Sequence, residues 1–129
     1  LSAKLPHLND WNERRRVIAT RYCAELAGLD CMTHPVEAPH VHHVYHLYVV
    51  RVPDRDALAA SLQAAGVETA VHYPHPVHLT PAFRVLGCGE GSLPVSEQVC
   101  REILSLPLYP EMSDEQVDWV IDAVWRHYV

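Results

Sequence analysis

The sequence has 129 residues, of which 49% are hydrophobic, and this is enough to build one domain with a real core. The net charge is −6, and the basic residues are scattered except for Arg14, Arg15 and Arg16, so the composition argues against a nucleic-acid-binding surface. No apolar run is long enough to span a membrane, and the first residues lack the apolar centre of a signal peptide. Lys4 is the only lysine.

The four cysteines lie far apart in the sequence and form no CxxC pair: Cys23, Cys31, Cys88 and Cys100. Disulfide frameworks are expected in small secreted chains that cannot fill a core, and this chain can fill one. We therefore predict reduced, partly buried thiols in a cytoplasmic protein.

The first predicted helix begins at a D-x-x-E capping box formed by Asp10 and Glu13. Gly28 offers the left-handed conformation that often ends a helix, so the helix is expected to stop there. Apolar residues recur between these ends near helical spacing: Trp11, Ile18, Tyr22 and Leu26.

A strand is predicted over residues 43–52, which are rich in valine and tyrosine and apolar on both faces, as expected at the centre of a sheet. Pro53 and Asp54 break this strand and begin a second helix, which places Leu58 and Leu62 on its buried side and ends at Gly66. Residues 67–71 then alternate apolar and polar, which predicts a half-buried strand.

The stretch 72–81 contains three prolines and is predicted to be irregular. Pro94 suits the first position of a helix that carries Val95, Val99 and Ile103, and residues 104–108 predict a short strand. The last helix has a capping box, Ser113 with Gln116, followed by one apolar stripe: Val117, Val120, Ile121, Val124 and Tyr128. Helices and strands alternate, which predicts a single α/β sandwich of three or four strands with no order assigned.

The ten histidines include two clusters that raise the question of a metal site: His40, His42, His43 and His46, and then His72, His75 and His78. In a strand, successive side chains point to opposite faces, so His43 and His46 are expected to diverge, and no nearby carboxylate completes a ligand pattern. We therefore predict no metal site, and a freestanding metal- or ligand-binding module stays as an alternative.

The second histidine cluster lies in the proline-stiffened loop that follows a predicted strand, where binding groups are often found. His72, Tyr73 and His78 could hydrogen-bond a polar ligand there, or their rings could simply pack against the domain. The chain has no GxSxG elbow, no Walker or GxGxxG loop and no cysteine in an activating context. The residues by themselves predict an α/β domain with a candidate ligand-binding loop.

Three stretches together resemble the DegT/DnrJ/StrS family of nucleotide-sugar aminotransferases, in matching order and spacing from Ala3 to the end of the chain. The first is AKLPHLNDWNERRRVIATRYCAEL. The second combines HHVYHLYVVRV with LAASLQAAGVETAVHYPHPVHLTPAF. The third is SEQVCREILSLPLYPEMSDEQVDWVIDAV. The combination of G-V-x-T-x-V-H-Y-P with L-S-L-P-L-Y-P is specific, whereas either piece alone would be weak.

The resemblance implies that residues 1–129 are the C-terminal small domain of a fold-type-I enzyme that uses pyridoxal 5′-phosphate (PLP). Residues 1–28 would then be the helix that leaves a larger N-terminal domain, and residues 29–129 would form the α/β sandwich. In the family, that larger domain binds PLP and carries the Schiff-base lysine, and Lys4 does not match its motif. The resemblance thus implies no catalytic and no cofactor-binding residue in this chain, which alone would hold no PLP and be inactive.

For the intact enzyme, the resemblance implies amino transfer from an amino-acid donor, often glutamate, to a keto-sugar nucleotide in amino-sugar biosynthesis, by a homodimer whose partners share the site. The residues that match the family's loop motif include His78, Tyr73 and His72, which we predict to bind substrate. Family members often have glutamine and an aromatic residue in H-x-Q-P-A-Y, so contacts at Thr80 and Phe83 are not carried over. A non-catalytic, regulatory member of the same family is the other alternative.

Overall fold

A computed structural model describes all 129 residues and shows a mixed α/β arrangement. The helices and strands are α1 (Leu8–Glu25), β1 (Tyr48–Arg51), α2 (Arg55–Ala64), α3 (Pro94–Glu102), β2 (Ile103–Leu106) and α4 (Asp114–Tyr128). Short 3-10 turns cover Leu5–His7, Val77–Leu79 and Pro81–Leu86. None of the helices combines the length and the apolar character that crossing a membrane requires.

The sheet is smaller than the sequence predicts, because only two segments are regular strands. β1 and β2 pair antiparallel, with Tyr48 opposite Leu106. Single antiparallel bridges extend the pair on both sides: Thr33 pairs with Arg51 of β1, and Ala70 pairs with Ser105 of β2. Four backbone segments therefore lie side by side, with β1 in the interior as predicted, but the expected strand 67–71 is reduced to the bridge at Ala70.

The core lies where α1, α2 and α4 pack with the strand pair, and it contains twenty buried apolar residues. Tyr22 of α1, Leu62 of α2, Leu104 of β2 and Val124 of α4 are each fully buried. The Tyr22 hydroxyl donates a hydrogen bond of 2.8 Å to the carbonyl of Pro107, so this large ring is buried without leaving its polar atom unpaired.

Of the two capping boxes predicted from the sequence, one is present in the structure and the other is not. The Ser113–Gln116 capping box of α4 is confirmed, since the side chain of each residue accepts a hydrogen bond from the backbone N–H of the other. The Asp10–Glu13 box is wrong, because α1 continues directly from the 3-10 turn that contains Pro6 and already begins at Leu8. Asp10 instead lies in the first turn, where the helix dipole favours a carboxylate.

The strand predicted over 43–52 is shorter because side chains compete for its backbone groups. Arg16 donates to the carbonyl of His43 at 2.7 Å, and the carboxylate of Glu37 accepts from the N–H of His43 at 3.0 Å. Arg16 and Glu37 also form an ion pair of 2.9 Å. With its backbone N–H and carbonyl engaged by α1 and the loop, His43 cannot join the ladder. Tyr45 has a φ of 46°, outside the strand region, and regular pairing starts at Tyr48.

Two further predictions, on the extent of α3 and on the burial of the cysteines, are wrong in part. The helix predicted to carry Val95, Val99 and Ile103 ends at Glu102, so Ile103 lies in β2; Val95 is 72% exposed, and the residue that α3 buries is Glu97. The cysteines were expected to be partly buried, whereas Cys23, Cys31 and Cys88 are exposed and only Cys100 is half-buried; all four are free thiols.

Candidate functional site

The proline-stiffened loop 72–81 forms one wall of a surface groove, and α3 with Leu93 forms the other. The groove has a volume of about 390 Å³, and all three predicted substrate-binding residues line it: His72, Tyr73 and His78. Val95, Val99 and Cys100 line it from the side of α3, and no lysine or arginine takes part. The loop is irregular as predicted, apart from the 3-10 turn Val77–Leu79.

The imidazole ring of His72 is oriented by a hydrogen bond to a residue of the sheet. Its Nδ1 lies 2.9 Å from the hydroxyl oxygen of Ser105, which is only 5% exposed in β2. Ser105 also exchanges backbone hydrogen bonds with Ala70, two residues before His72. The ring therefore has one nitrogen engaged with the sheet, and Nε2 is left for another partner.

Tyr73 follows at the rim of the groove and is 75% exposed. Its ring lies 5.9 Å from the ring of His72, centroid to centroid, in an edge-on arrangement. An exposed phenol beside an oriented imidazole offers a hydroxyl that both donates and accepts hydrogen bonds.

His78 is buried at the base of the groove, and its Nε2 lies 3.1 Å from the carboxylate of Glu97. Glu97 is itself only 4% exposed, and its oxygens also accept hydrogen bonds from the N–H groups of Gly91 and Leu93. These backbone donors, Gly91 first, hold the pKa of the Glu97 carboxyl below its usual range, against the opposing effect of desolvation.

The three predicted residues thus share one groove but differ in accessibility. Tyr73 is exposed and His72 is half-buried, whereas His78 is buried and has one ring nitrogen engaged by Glu97. Their contacts with substrate stay predictions. Sequence reasoning missed the two residues that hold the histidines, although each gave a signal: Ser105 is the polar residue of the strand ILSL, and Glu97 lies between two valines of α3.

The first histidine cluster does not converge. His42 pairs with Glu13 at 3.0 Å, while His43 packs edge-on against Tyr45 with the ring centroids 4.3 Å apart. No three histidine, cysteine, aspartate or glutamate side chains come together in an arrangement able to hold a metal ion.

Lys4 does not fit a covalent PLP site. It is exposed in the N-terminal turn, and the neighbouring surface consists mainly of apolar side chains such as Leu5, Leu8 and Trp11. Arg15, the nearby cation, donates its hydrogen bond to Asn12. The amine therefore has neither a desolvated pocket nor a cluster of donors to hold a phosphate.

Residues 1–125 match the model of the DegT/DnrJ/EryC1/StrS aminotransferase family. The chain belongs to this family. It is 46% identical over 124 residues to the dTDP-3-amino-3,4,6-trideoxy-alpha-D-glucose transaminase of Streptomyces venezuelae, covering 96% of this chain and 33% of the relative. It is 43% identical over 134 residues to the "Pleiotropic regulatory protein" of Geobacillus stearothermophilus, covering 99% of this chain and 36% of the relative.

Solved structures of the family show the same arrangement of helices and strands. The crystal structure of S. venezuelae DesV in complex with a ketimine intermediate superposes with a TM-score of 0.93 at 45% identity, covering 97% of this chain and 34% of that one. The aminotransferase TlmJ of Streptoalloteichus hindustanus superposes with a TM-score of 0.87 at 38% identity, covering 98% and 34%. The chain thus spans about one third of the length of the relatives it matches.

Proposed function

We propose that this chain is the small-domain part of a PLP-dependent enzyme that transfers an amino group, with glutamate as donor, to a keto-sugar nucleotide. The observation that carries the proposal is the similarity to the S. venezuelae transaminase along 96% of the chain at 46% identity. We assign PLP, its lysine and its phosphate-binding groups to a part of the polypeptide outside residues 1–129. The reaction is then divided between that part, which binds the cofactor, and this domain, which contributes to the sugar site.

The groove suits an uncharged sugar ring better than a diphosphate. Its polar groups are the imidazoles of His72, His75 and His78, the phenol of Tyr73 and the hydroxyl of Ser96. Apolar side chains such as Val77, Leu93 and Val95 form much of the rest. A diphosphate would require cationic side chains or a cluster of N–H donors, and the groove has no lysine or arginine. We therefore assign sugar hydroxyl groups to His72 and Tyr73, and the diphosphate to groups outside this groove.

The full-length polypeptide tests the proposal in two half-reactions. Tyr73→Phe should lower kcat/KM for the keto-sugar nucleotide about threefold to tenfold, since it removes one hydrogen bond to a neutral group. The half-reaction with glutamate needs no sugar site and should not change. The matched control is Tyr109→Phe, because Tyr109 is also exposed, at 42%, but lies outside the groove.

If Tyr73→Phe and Tyr109→Phe gave the same sugar kinetics as the unmodified enzyme, the assignment of Tyr73 would be wrong. A full-length polypeptide with no turnover of any keto-sugar nucleotide would contradict the function itself. The proposed enzyme is also a cytoplasmic homodimer, and sedimentation of the full-length polypeptide would test the dimer.

A regulatory member of the same family is a second candidate, favoured by the names of two relatives. One is the Geobacillus protein above, and the other is the "Erythromycin biosynthesis sensory transduction protein EryC1" of Saccharopolyspora erythraea, 46% identical over 121 residues. The glutamate half-reaction discriminates between the candidates, because an enzyme would consume the donor and a purely regulatory protein would not. Groove variants would then change ligand binding without any change in turnover.

A further inference from the structure

One carboxylate joins the two walls of the groove. Oε1 of Glu97 accepts from Gly91 N at 2.9 Å and Leu93 N at 3.2 Å, and Oε2 lies 3.0 Å from Gly91 N. The same Oε1 lies 3.1 Å from Nε2 of His78. Glu97 therefore links three segments: its own helix α3, the glycine-rich loop 87–93 and the proline-stiffened loop 72–81.

A buried carboxylate such as that of Glu97 is an unusual group for holding two segments of a protein together. Removing its charge from water is unfavourable unless several donors replace the lost hydration, and an apolar side chain would fill the same volume without that requirement. Of the groups bonded to Glu97, His78 and Leu93 line the groove, and Gly91 lies in the loop that leads to Leu93. The carboxylate thus fixes these segments relative to each other with directional bonds, which apolar packing does not provide.

In the sequence, Tyr73 lies between two histidines that are each held by another side chain. On one side, Ser105 holds His72, and on the other, Glu97 holds His78. The prolines at positions 74 and 76 restrict the backbone conformations of the segment between His72 and His78. The position of the Tyr73 phenol relative to the opposite wall at Leu93 therefore depends on the contacts of Glu97.

We propose that Glu97 is a positioning residue for the sugar site: by holding His78 and Leu93 together, it sets the spacing between the Tyr73 loop and α3. This inference rests on the function proposed above and adds a residue that touches no substrate. Glu97→Gln keeps the size of the side chain but places an NH₂ donor near the N–H of Gly91, so the link between the walls is weakened.

The test uses the full-length polypeptide and three variants: Glu97→Gln, His78→Ala and the double variant. Glu97→Gln is expected to raise KM for the keto-sugar nucleotide about tenfold, while the glutamate half-reaction keeps its rate. If Glu97 acts through His78, the double variant should show little more loss than either single variant. Hydrogen exchange at the amides of Gly91 and Leu93 should accelerate in Glu97→Gln, which reports the broken link without using activity.

The matched control is Glu102→Gln, which removes another carboxylate of α3. Glu102 is bonded to Arg51 at 2.7 Å and does not line the groove, so its loss destabilises α3 without altering the spacing of the walls. All kinetics are measured well below the melting temperature of each variant. An equal rise in KM in Glu102→Gln would overturn the inference, because a general weakening of α3 would then be sufficient.

Two other outcomes would also overturn it. If the sugar and glutamate half-reactions fell together in Glu97→Gln, the carboxylate would serve only stability, and if neither changed, the spacing would not matter. Absence of turnover in the unmodified polypeptide would instead contradict the proposed function, and the inference would fall with it. Normal turnover with an unaltered sugar KM in Glu97→Gln would contradict the inference alone.

Discussion

The Nδ1 atom of His72 lies 2.9 Å from the buried hydroxyl of Ser105, so a ring at the edge of the groove takes its orientation from the centre of the sheet. Ser105 pairs with Val49 of β1 on one side and with Ala70 on the other. The strand residue that supports the histidine is therefore held by neighbours on both sides, which limits how far the ring can move.

Replacement of Ser105 by alanine tests this support. Ser105→Ala removes one hydrogen bond, so we expect kcat/KM for the keto-sugar nucleotide in the full-length polypeptide to fall about threefold to tenfold. Ser61→Ala, a change of the same size on α2, serves as the control. Sugar kinetics that stay unchanged in Ser105→Ala would show that the orientation of His72 does not limit the reaction.

The end of α4 is attached to the start of α2 by the carboxylate of Asp54. His127 Nε2 lies 3.0 Å from one carboxylate oxygen, and the Tyr128 hydroxyl donates to the other at 3.0 Å. His127, the larger contributor, and then Tyr128 hold the pKa of Asp54 below its usual range. The pKa of an aspartate in an unfolded chain is about 3.9. The stabilisation that Asp54 contributes is therefore complete above this pH, and it is lost as the pH falls through the lower pKa of the folded state.

Asp54→Asn should therefore lower stability at pH 7 and reduce the further loss on acidification from pH 7 to pH 3. Urea unfolding at the two pH values measures both quantities, with Asp30→Asn, a change at an exposed position, as the control. An acid-induced loss of the same size in Asp54→Asn and the unmodified chain would contradict the role given to this carboxylate.

Leu104 tests the centre of the core, since its side chain is fully buried in β2. Leu104→Ala should lower the free energy of unfolding by about 2–5 kcal/mol, because the neighbouring side chains refill such a space only in part. Val36 is 89% exposed, and Val36→Ala should change stability by less than about 0.5 kcal/mol. Similar effects of the two substitutions in urea unfolding would show that the Leu104 side chain is not closely packed in the core.

Two glycines form a matched pair for a test of backbone strain. Gly66, after α2, has φ +77°, whereas Gly89 has no positive φ, and a Cβ atom would meet nothing within 4 Å at either position. Gly66→Ala should destabilise the chain by about 1 kcal/mol or more, since an L residue is strained there. Gly89→Ala should be neutral or slightly stabilising. Thermal unfolding of both variants measures this, and a lower melting temperature for Gly89→Ala than for Gly66→Ala would contradict the prediction.

The isolated chain should not retain PLP. Lys4 is exposed and has no phosphate-binding partners, so any imine that forms there is expected to hydrolyse and be lost on dialysis. The visible absorbance of the dialysed protein measures retention, and Lys4→Arg provides the baseline. Stoichiometric absorbance in the unmodified chain that is absent from Lys4→Arg would show that Lys4 binds the cofactor covalently.

Local signals predicted the helices well because their determinants lie within a few residues of each other. The Ser113–Gln116 box needs a span of three residues, and Pro94 begins α3 since its fixed φ suits a first helical position. The apolar stripe of α4 is likewise a property of one helix, and its residues 117, 120, 121 and 124 are buried as predicted.

Features that depend on distant partners were not predictable from one sequence. Ser105 and His72 are 33 positions apart, and His78 and Glu97 are 19 apart, so no local pattern indicates that they meet. The first residue of the strand predicted over 43–52 failed for the same reason, because Arg16, 27 positions before His43, engages the His43 carbonyl. The proline-rich loop was predicted as a candidate site from its residues, but the two side chains that brace it were not.

The pairing of β1 with β2 also sets an order of events during synthesis of the chain. Residues 52–102 separate the two strands, so β1 leaves the ribosome well before its partner exists. The packing surfaces of α1 and α2 are completed later still, because they contact α4, which follows β2 in the chain. A nascent chain that stalls before Asp114 therefore leaves Tyr22 and Leu62 without part of their packing partners, and such exposed apolar surface favours aggregation.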